Sequence, residues 1–235
     1  MNIVKGCFWV ALVVATMVGC GNSSPAGNDE PADGEVSVSV DFLRNYGKLK
    51  AIGGIESTSG SVRVVLEKDD IAVTDAVVKF EDQIIEYTDW LSSYVLDVDY
   101  NALTPGSFAK VSITLNGTTY ADSIIIPGGI TLSQTGLSAS WNYEGNRDQV
   151  HVSPLNSNDM PDTQNATFST LKGVGTTATN DVTSPFEIAG ASVPSTDWYE
   201  VMIYVQSSKS GFASIPGIKS GVMTATDVVS VDFSK

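Results

Sequence analysis

Apolar side chains recur at every second position along much of this chain, and that period decides its fold class. In Leu96-Asp97-Val98-Asp99-Tyr100 the apolar residues point one way and both aspartates the other, as in a half-buried strand. Lys110-Val111-Ser112-Ile113-Thr114-Leu115 alternates likewise and ends in Asn116-Gly117. That pair signals a hairpin because both turn positions need positive φ, and Thr118-Thr119-Tyr120 begins the return strand. Residues 137–141, 149–152 and 199–205 repeat the alternation, and the Val- and Thr-rich stretch 221–233 reads as one long or bent strand. One segment fits two periods: Phe80, Ile84, Tyr87 and Leu91 fall at helical spacing. The same residues also fit a hairpin, with strand 76–80, a turn at Glu81-Asp82-Gln83 and strand 84–87. The hairpin is favoured because β-branched residues dominate and no helix cap stands out.

Short strands separated by Gly, Asn, Asp and Ser turns predict an all-β fold of sandwich type. Residues 36–235 make about twice the length of a ~100-residue sandwich, so the expectation is two tandem β-sandwich domains, 36–127 and 128–235. The seam is placed at Pro127-Gly128-Gly129, which breaks one strand before the next begins at Ile130. Residues 21–35 (GNSSPAGNDEPADGE) hold almost no bulky side chain and read as a flexible tether.

Before that tether, Lys5 is followed by an apolar run from Cys7 to Val18 and then by Met17-Val18-Gly19-Cys20. A run of about a dozen residues suits a signal segment of ~7–15 and falls short of the roughly 20 needed to span a bilayer. The order resembles a bacterial lipoprotein signal, with Met17 where leucine is usual. The resemblance implies that residues 1–19 are removed and that Cys20 becomes the lipidated first residue of a tether spanning 20–35. It also implies that acyl chains on Cys20 are the attachment to the membrane. Gly21 after that cysteine, in place of an aspartate, favours the outer membrane where the organism has one. Cys7 and Cys20 are the two cysteines of the chain. A mature protein of this kind would therefore hold no disulfide and no cysteine-ligated metal.

Two further resemblances concern the sandwiches. Ala72-Val73-Thr74-Asp75-Ala76-Val77-Val78, then Leu103-Thr104-Pro105-Gly106-Ser107-Phe108 and the strand–Asn-Gly–strand, resemble the prealbumin-like sandwiches, nearest to the carboxypeptidase regulatory-like domains. Phe108 stands where that pattern has a tyrosine, so a corner hydroxyl bond is expected to be missing. The second half, with Trp141 on an early strand and Trp198-Tyr199 leading into the strand through Val205, resembles fibronectin type III and other immunoglobulin-like sandwiches. Such folds carry many functions, so the function must come from the site.

A formal net charge of −14 repels phosphate backbones and anionic headgroups, so nucleic acid is not an expected partner. Charged residues are 17% and apolar residues 42% of the chain, which is the composition of a folded protein. One histidine, His151, sits between Val150 and Val152, and no G-x-S-x-G elbow occurs, so a Ser-His-Asp nucleophile is not expected. Asp97 and Asp99 share one strand face, which by itself supplies no cleft for paired carboxylate catalysis.

Calcium is the ion such an acidic chain admits. Asp97 to Asn101 opens like an EF-hand loop but fails at Ala102 and Phe108. The better-grouped oxygen ligands are in the loop holding Asp159 and Asp162, and Asp148 could approach Asp122 across the seam. Trp90 and Trp198 each follow Thr-Asp at a strand entrance, where an indole can stack on a sugar. They are the candidate ligand-binding residues, with Tyr87, Tyr94 and Tyr143 behind them, whereas Trp141 is expected in the core. The sequence thus predicts a lipid-anchored, non-enzymatic envelope protein that binds a glycan or another envelope protein. The rivals are a spacer subunit of an envelope assembly and a carboxylate-dependent polysaccharide hydrolase.

Overall fold

Every alternating run named above folds as a strand. The computed structural model describes residues 36–49, 53–133, 138–143, 145, 147–155, 177–180, 182–187, 198–212 and 217–234; Cys20, Asp159 and Asp162 lie outside them. In chain order the strands are β1 (Val36–Lys48), β2 (Glu56–Lys68), β3 (Ile71–Ala72), β4 (Val77–Phe80), β5 (Gln83–Ile85), β6 (Tyr87–Thr88), β7 (Ser93–Val98) and β8 (Phe108–Leu115). There follow β9 (Thr118–Ile125), β10 (Thr131–Ser133), β11 (Ser138–Ser140), β12 (Arg147–Leu155), β13 (Thr177–Asn180), β14 (Phe186–Glu187), β15 (Trp198–Ser210) and β16 (Ile218–Ser234). The ambiguous segment is the hairpin β4–β5, turned at Glu81 with φ 50°. Asn116 and Gly117 carry positive φ values, 49° and 80°, and turn β8 into β9.

The protein is all-β, and the strands among the described residues form three sheets. The largest runs β13-β12-β15-β16-β1-β2-β7-β6, with β3 paired to β2. A four-stranded sheet, β5-β4-β8-β9, faces one part of it, and a three-stranded sheet, β10-β11-β14, faces another. Between the large and four-stranded sheets lie Val38, Val40 and Phe42 of β1, Val62, Val64 and Leu66 of β2, Val78 and Phe80 of β4, and Val111 and Ile113 of β8. Between the large and three-stranded sheets lie Ala139, Trp141, Val182, Val201, Ile203 and Val205. Each cluster is built from the alternate positions of its strands, which is how a half-buried sheet encodes its inner face.

The last strand joins the two clusters. β16 pairs in parallel with the whole length of β1, from Val36 opposite Ile218 to Lys48 opposite Val231, and antiparallel with β15 on its other side. Past the register shift beside Val36 and Ser37, its odd-numbered residues face inward. Met223 and Ala225 lie in the first cluster, and Val231 packs against the second. Asp227, at the same parity, falls between them.

Asp227 is fully buried and receives Arg44 Nη1 at 3.1 and 3.2 Å and the Gly129 amide at 3.0 Å. The Tyr100 ring lies 3.7 Å from the Arg44 guanidinium carbon. This accounts for the first glycine of the pair at the seam. Gly128 has φ +105°, and a Cβ there would run into the Asp227 carboxylate. Only glycine brings the backbone amides within reach of that side chain.

Candidate functional site

Trp90 is 72% exposed, although an indole is usually among the most buried side chains of a domain. It stands in a one-turn 3-10 helix, Asp89–Leu91, that links β6 to β7. The turn is braced from behind. Ser92 takes the left-handed conformation and its amide donates to the Asp89 carbonyl at 3.1 Å. Arg63 donates to Ser93 Oγ at 3.1 Å and to the Leu91 carbonyl at 3.4 Å, and the Ser93 hydroxyl donates to the same carbonyl at 3.0 Å. A rigid backbone thus holds an exposed aromatic ring.

Strand register shows at which end of the large sheet this happens. Tyr94 pairs with Val64, which pairs with Val40 of β1. Continuing backward along β7, the Trp90 turn lies level with the beginning of β1. Ile71, also 72% exposed, pairs with Lys68, which pairs with Val36. Two exposed apolar side chains therefore occupy the end of the sheet at which the first strand begins. Trp198 is elsewhere: it opens β15 opposite Ser234, past the row in which Val231 meets Lys48. The two candidate tryptophans stand at opposite ends and do not form one platform.

The other aromatic candidates divide as well. Tyr94 is buried, with its hydroxyl donating to the Val73 carbonyl at 3.0 Å and accepting from the Ala76 amide at 3.1 Å. Tyr87 meets it edge-on at 5.2 Å. Tyr94 thus supplies a corner hydroxyl bond of the kind expected to be missing at Phe108, and Phe108 itself is 68% exposed. Tyr143 lies against the backbone of Gly106. Trp141 is in the core as expected, its indole N–H donating to Asp148 Oδ2 at 3.1 Å.

The carboxylates considered in the sequence also find separate tasks. Asp99 caps a second 3-10 turn, Tyr100–Ala102, by accepting the Asn101 amide at 2.8 Å. Asp148 accepts the Trp141 indole N–H, whereas Asp122 ties β9 to the end of β15 through Lys209 Nζ at 2.6 Å and the Phe212 amide at 2.8 Å. Burial raises Asp122, but the hydrogen bonds from Lys209, Phe212 and Ser123 outweigh it and hold the carboxyl below its ordinary value. Among the described residues no group of three or more His, Cys, Asp and Glu is placed to hold a metal. No helix among them is long and apolar enough to cross a membrane.

Sequence reasoning missed one carboxylate pair. Glu200 of β15 stands directly opposite Asp232 of β16 on the outer face of the large sheet. Burial, and then the Asp232 charge, push the Glu200 carboxyl up to about 7. Glu200 Oε1 is buried and accepts no hydrogen bond. The local signal was present, since both residues hold the polar positions of alternating strands. Their meeting depends on the β15–β16 register, which no local pattern encodes. They sit side by side on one sheet face rather than across a cleft. Compared with known proteins, the chain matches no family model, no curated protein and no solved structure.

Proposed function

We propose that this protein is a lipid-anchored component of a bacterial cell envelope, held through Cys20, that binds a glycan or another envelope protein without catalysis. The observation that carries this reading is the polarity of the large sheet. A chain anchored before Val36 enters the fold at one end of β1. Trp198 and the exposed Ile55, which leads into β2, stand at the other. An anchored sandwich meets its surroundings with the end farthest from its tether, and loops and strand entrances at sandwich ends are where such folds carry recognition. An aromatic residue there offers a large, stiff contact surface.

The test uses a soluble chain beginning at Gly21, titrated with envelope polysaccharides and with purified envelope proteins. Binding should be lost in Trp198→Ala and reduced in Ile55→Ser, while Trp90→Ala keeps it. A chain that binds neither class of ligand would end this reading. A spacer role instead predicts that both far-end variants leave the cellular phenotype unchanged.

A further inference from the structure

The end of the sheet where β1 begins carries its own pair of exposed apolar side chains. We propose that Trp90 and Ile71 form a contact surface for the membrane that holds the anchor, a zwitterionic lipid–water interface; the inference rests on the anchored reading above. Both side chains are 72% exposed, and both are level with the first residues of β1. The fifteen residues 21–35 separate Cys20 from Val36. At a maximum of ~3.6 Å per residue, Val36 cannot stand more than about 60 Å from the lipid. Over so short a span the local concentration of membrane around this end is high, so a contact too weak to recruit free protein can still orient tethered protein.

The residue types fit such an interface. Tryptophan concentrates at the headgroup level of membranes, where its ring is buried and its N–H stays wet. A bulky aliphatic at the same end of the sheet adds apolar area to the contact. The turn is stiff, held by Arg63, Ser93 and the Asp89 carbonyl, so docking would order little chain. Charge decides which lipid is taken. Asp89 adjoins Trp90, and Asp69 and Asp70 adjoin Ile71, so anionic headgroups are repelled.

The mature chain would hold Cys20 as its single thiol and Trp90, Trp141 and Trp198 as its tryptophans, which makes the test direct. A chain beginning at Cys20 is coupled through that thiol to a maleimide lipid in phosphatidylcholine vesicles containing brominated acyl chains, which quench nearby indoles. We expect quenching of the wild-type emission. It should be at least halved in Trp90→Phe, weakened in Ile71→Asp, and lowered when phosphatidylglycerol replaces half of the lipid.

No quenching, or quenching unchanged in Trp90→Phe, would overturn the proposal. So would a Trp90 emission shift caused by soluble envelope polysaccharide with no response to lipid, which would make this end a glycan site. Because the synthetic anchor bypasses host processing, the anchored reading is judged separately. Mass spectrometry finding an unmodified Cys20 in protein from its host would overturn that reading and leave the vesicle result standing.

Discussion

Asp227 and Asp232 lie five residues apart on β16, and the fold treats their charges in opposite ways. Asp227 faces inward between the two core clusters, where a fixed cation and backbone amides surround it: Arg44 is its cross-strand neighbour, and Gly129 donates at 3.0 Å. Burial pushes its carboxyl up from the ordinary range, opposed by Arg44 and by the amides of Gly129 and Ile130. Asp232 has the opposite parity, and its cross-strand neighbour on β15 is another acid, Glu200. There the charge is relieved by proton uptake, which is why Glu200 moves to about 7. A buried charge is tolerated when it is compensated or when it neutralises itself, and one strand of this protein uses both solutions. Only the compensated one also fixes geometry, because Asp227 connects β16, β1 and the chain just after Pro127.

The comparison breaks most directly at Asp227. Asp227→Ala leaves the Arg44 guanidinium buried without its carboxylate and the Gly129 amide without its acceptor. Removing one partner of a buried pair costs about 3–5 kcal/mol. The expected result is a urea midpoint lowered by that amount, read by fluorescence of the buried Trp141. A loss under about 1 kcal/mol would mean that the seam contributes little to holding the two clusters together. Gly128→Ala sharpens the point from the backbone side. It combines a positive φ of +105° with a Cβ directed at Asp227, so a cost of about 3 kcal/mol is expected. In the double variant Gly128→Ala/Asp227→Ala the two costs should add to less than their sum, since the clash disappears with the carboxylate.

The sequence made the strands legible because alternation is a local property: each run from 96–100 to 221–233 could be read without knowing its neighbours. The hairpin at Asn116-Gly117 was legible for the same reason. Pro127-Gly128-Gly129 could be read as a break. Why Gly128 is required there depends on Asp227, some hundred residues later. The parallel pairing of β1 with β16 joins residues more than 180 positions apart and has no local signature. Candidate-site residues divide along the same line. Trp141 was legible as core, since an early-strand tryptophan in a sandwich packs inward. That Trp90 and Trp198 stand at opposite ends required the register of five strands. Tyr94 was not legible as the residue whose hydroxyl bonds Val73 and Ala76, because that contact joins β7 to the chain between β3 and β4 and has no local signature.

The smallest predicted effect tests the other half of the comparison, and its sign is opposite. Glu200 has a folded-state pKa of about 7 against an ordinary value of 4.5. A carboxyl whose pKa is raised by folding binds its proton more tightly in the folded protein. Its contribution to stability is therefore fully present below about 4.5 and is lost as pH climbs through 7. Over that window the displacement is worth about 3 kcal/mol.

Glu200→Gln keeps the shape and removes the charge. It should leave stability at pH 5 nearly unchanged and raise it at pH 8 by about 2 kcal/mol. Thermal melts of both proteins from pH 5 to pH 9 read this as two curves that separate above neutrality. Parallel curves would mean that the outer-face pair is already hydrated or compensated. The contrast with Asp227 would then reduce to geometry, with protonation playing no part in how β16 carries its two acids.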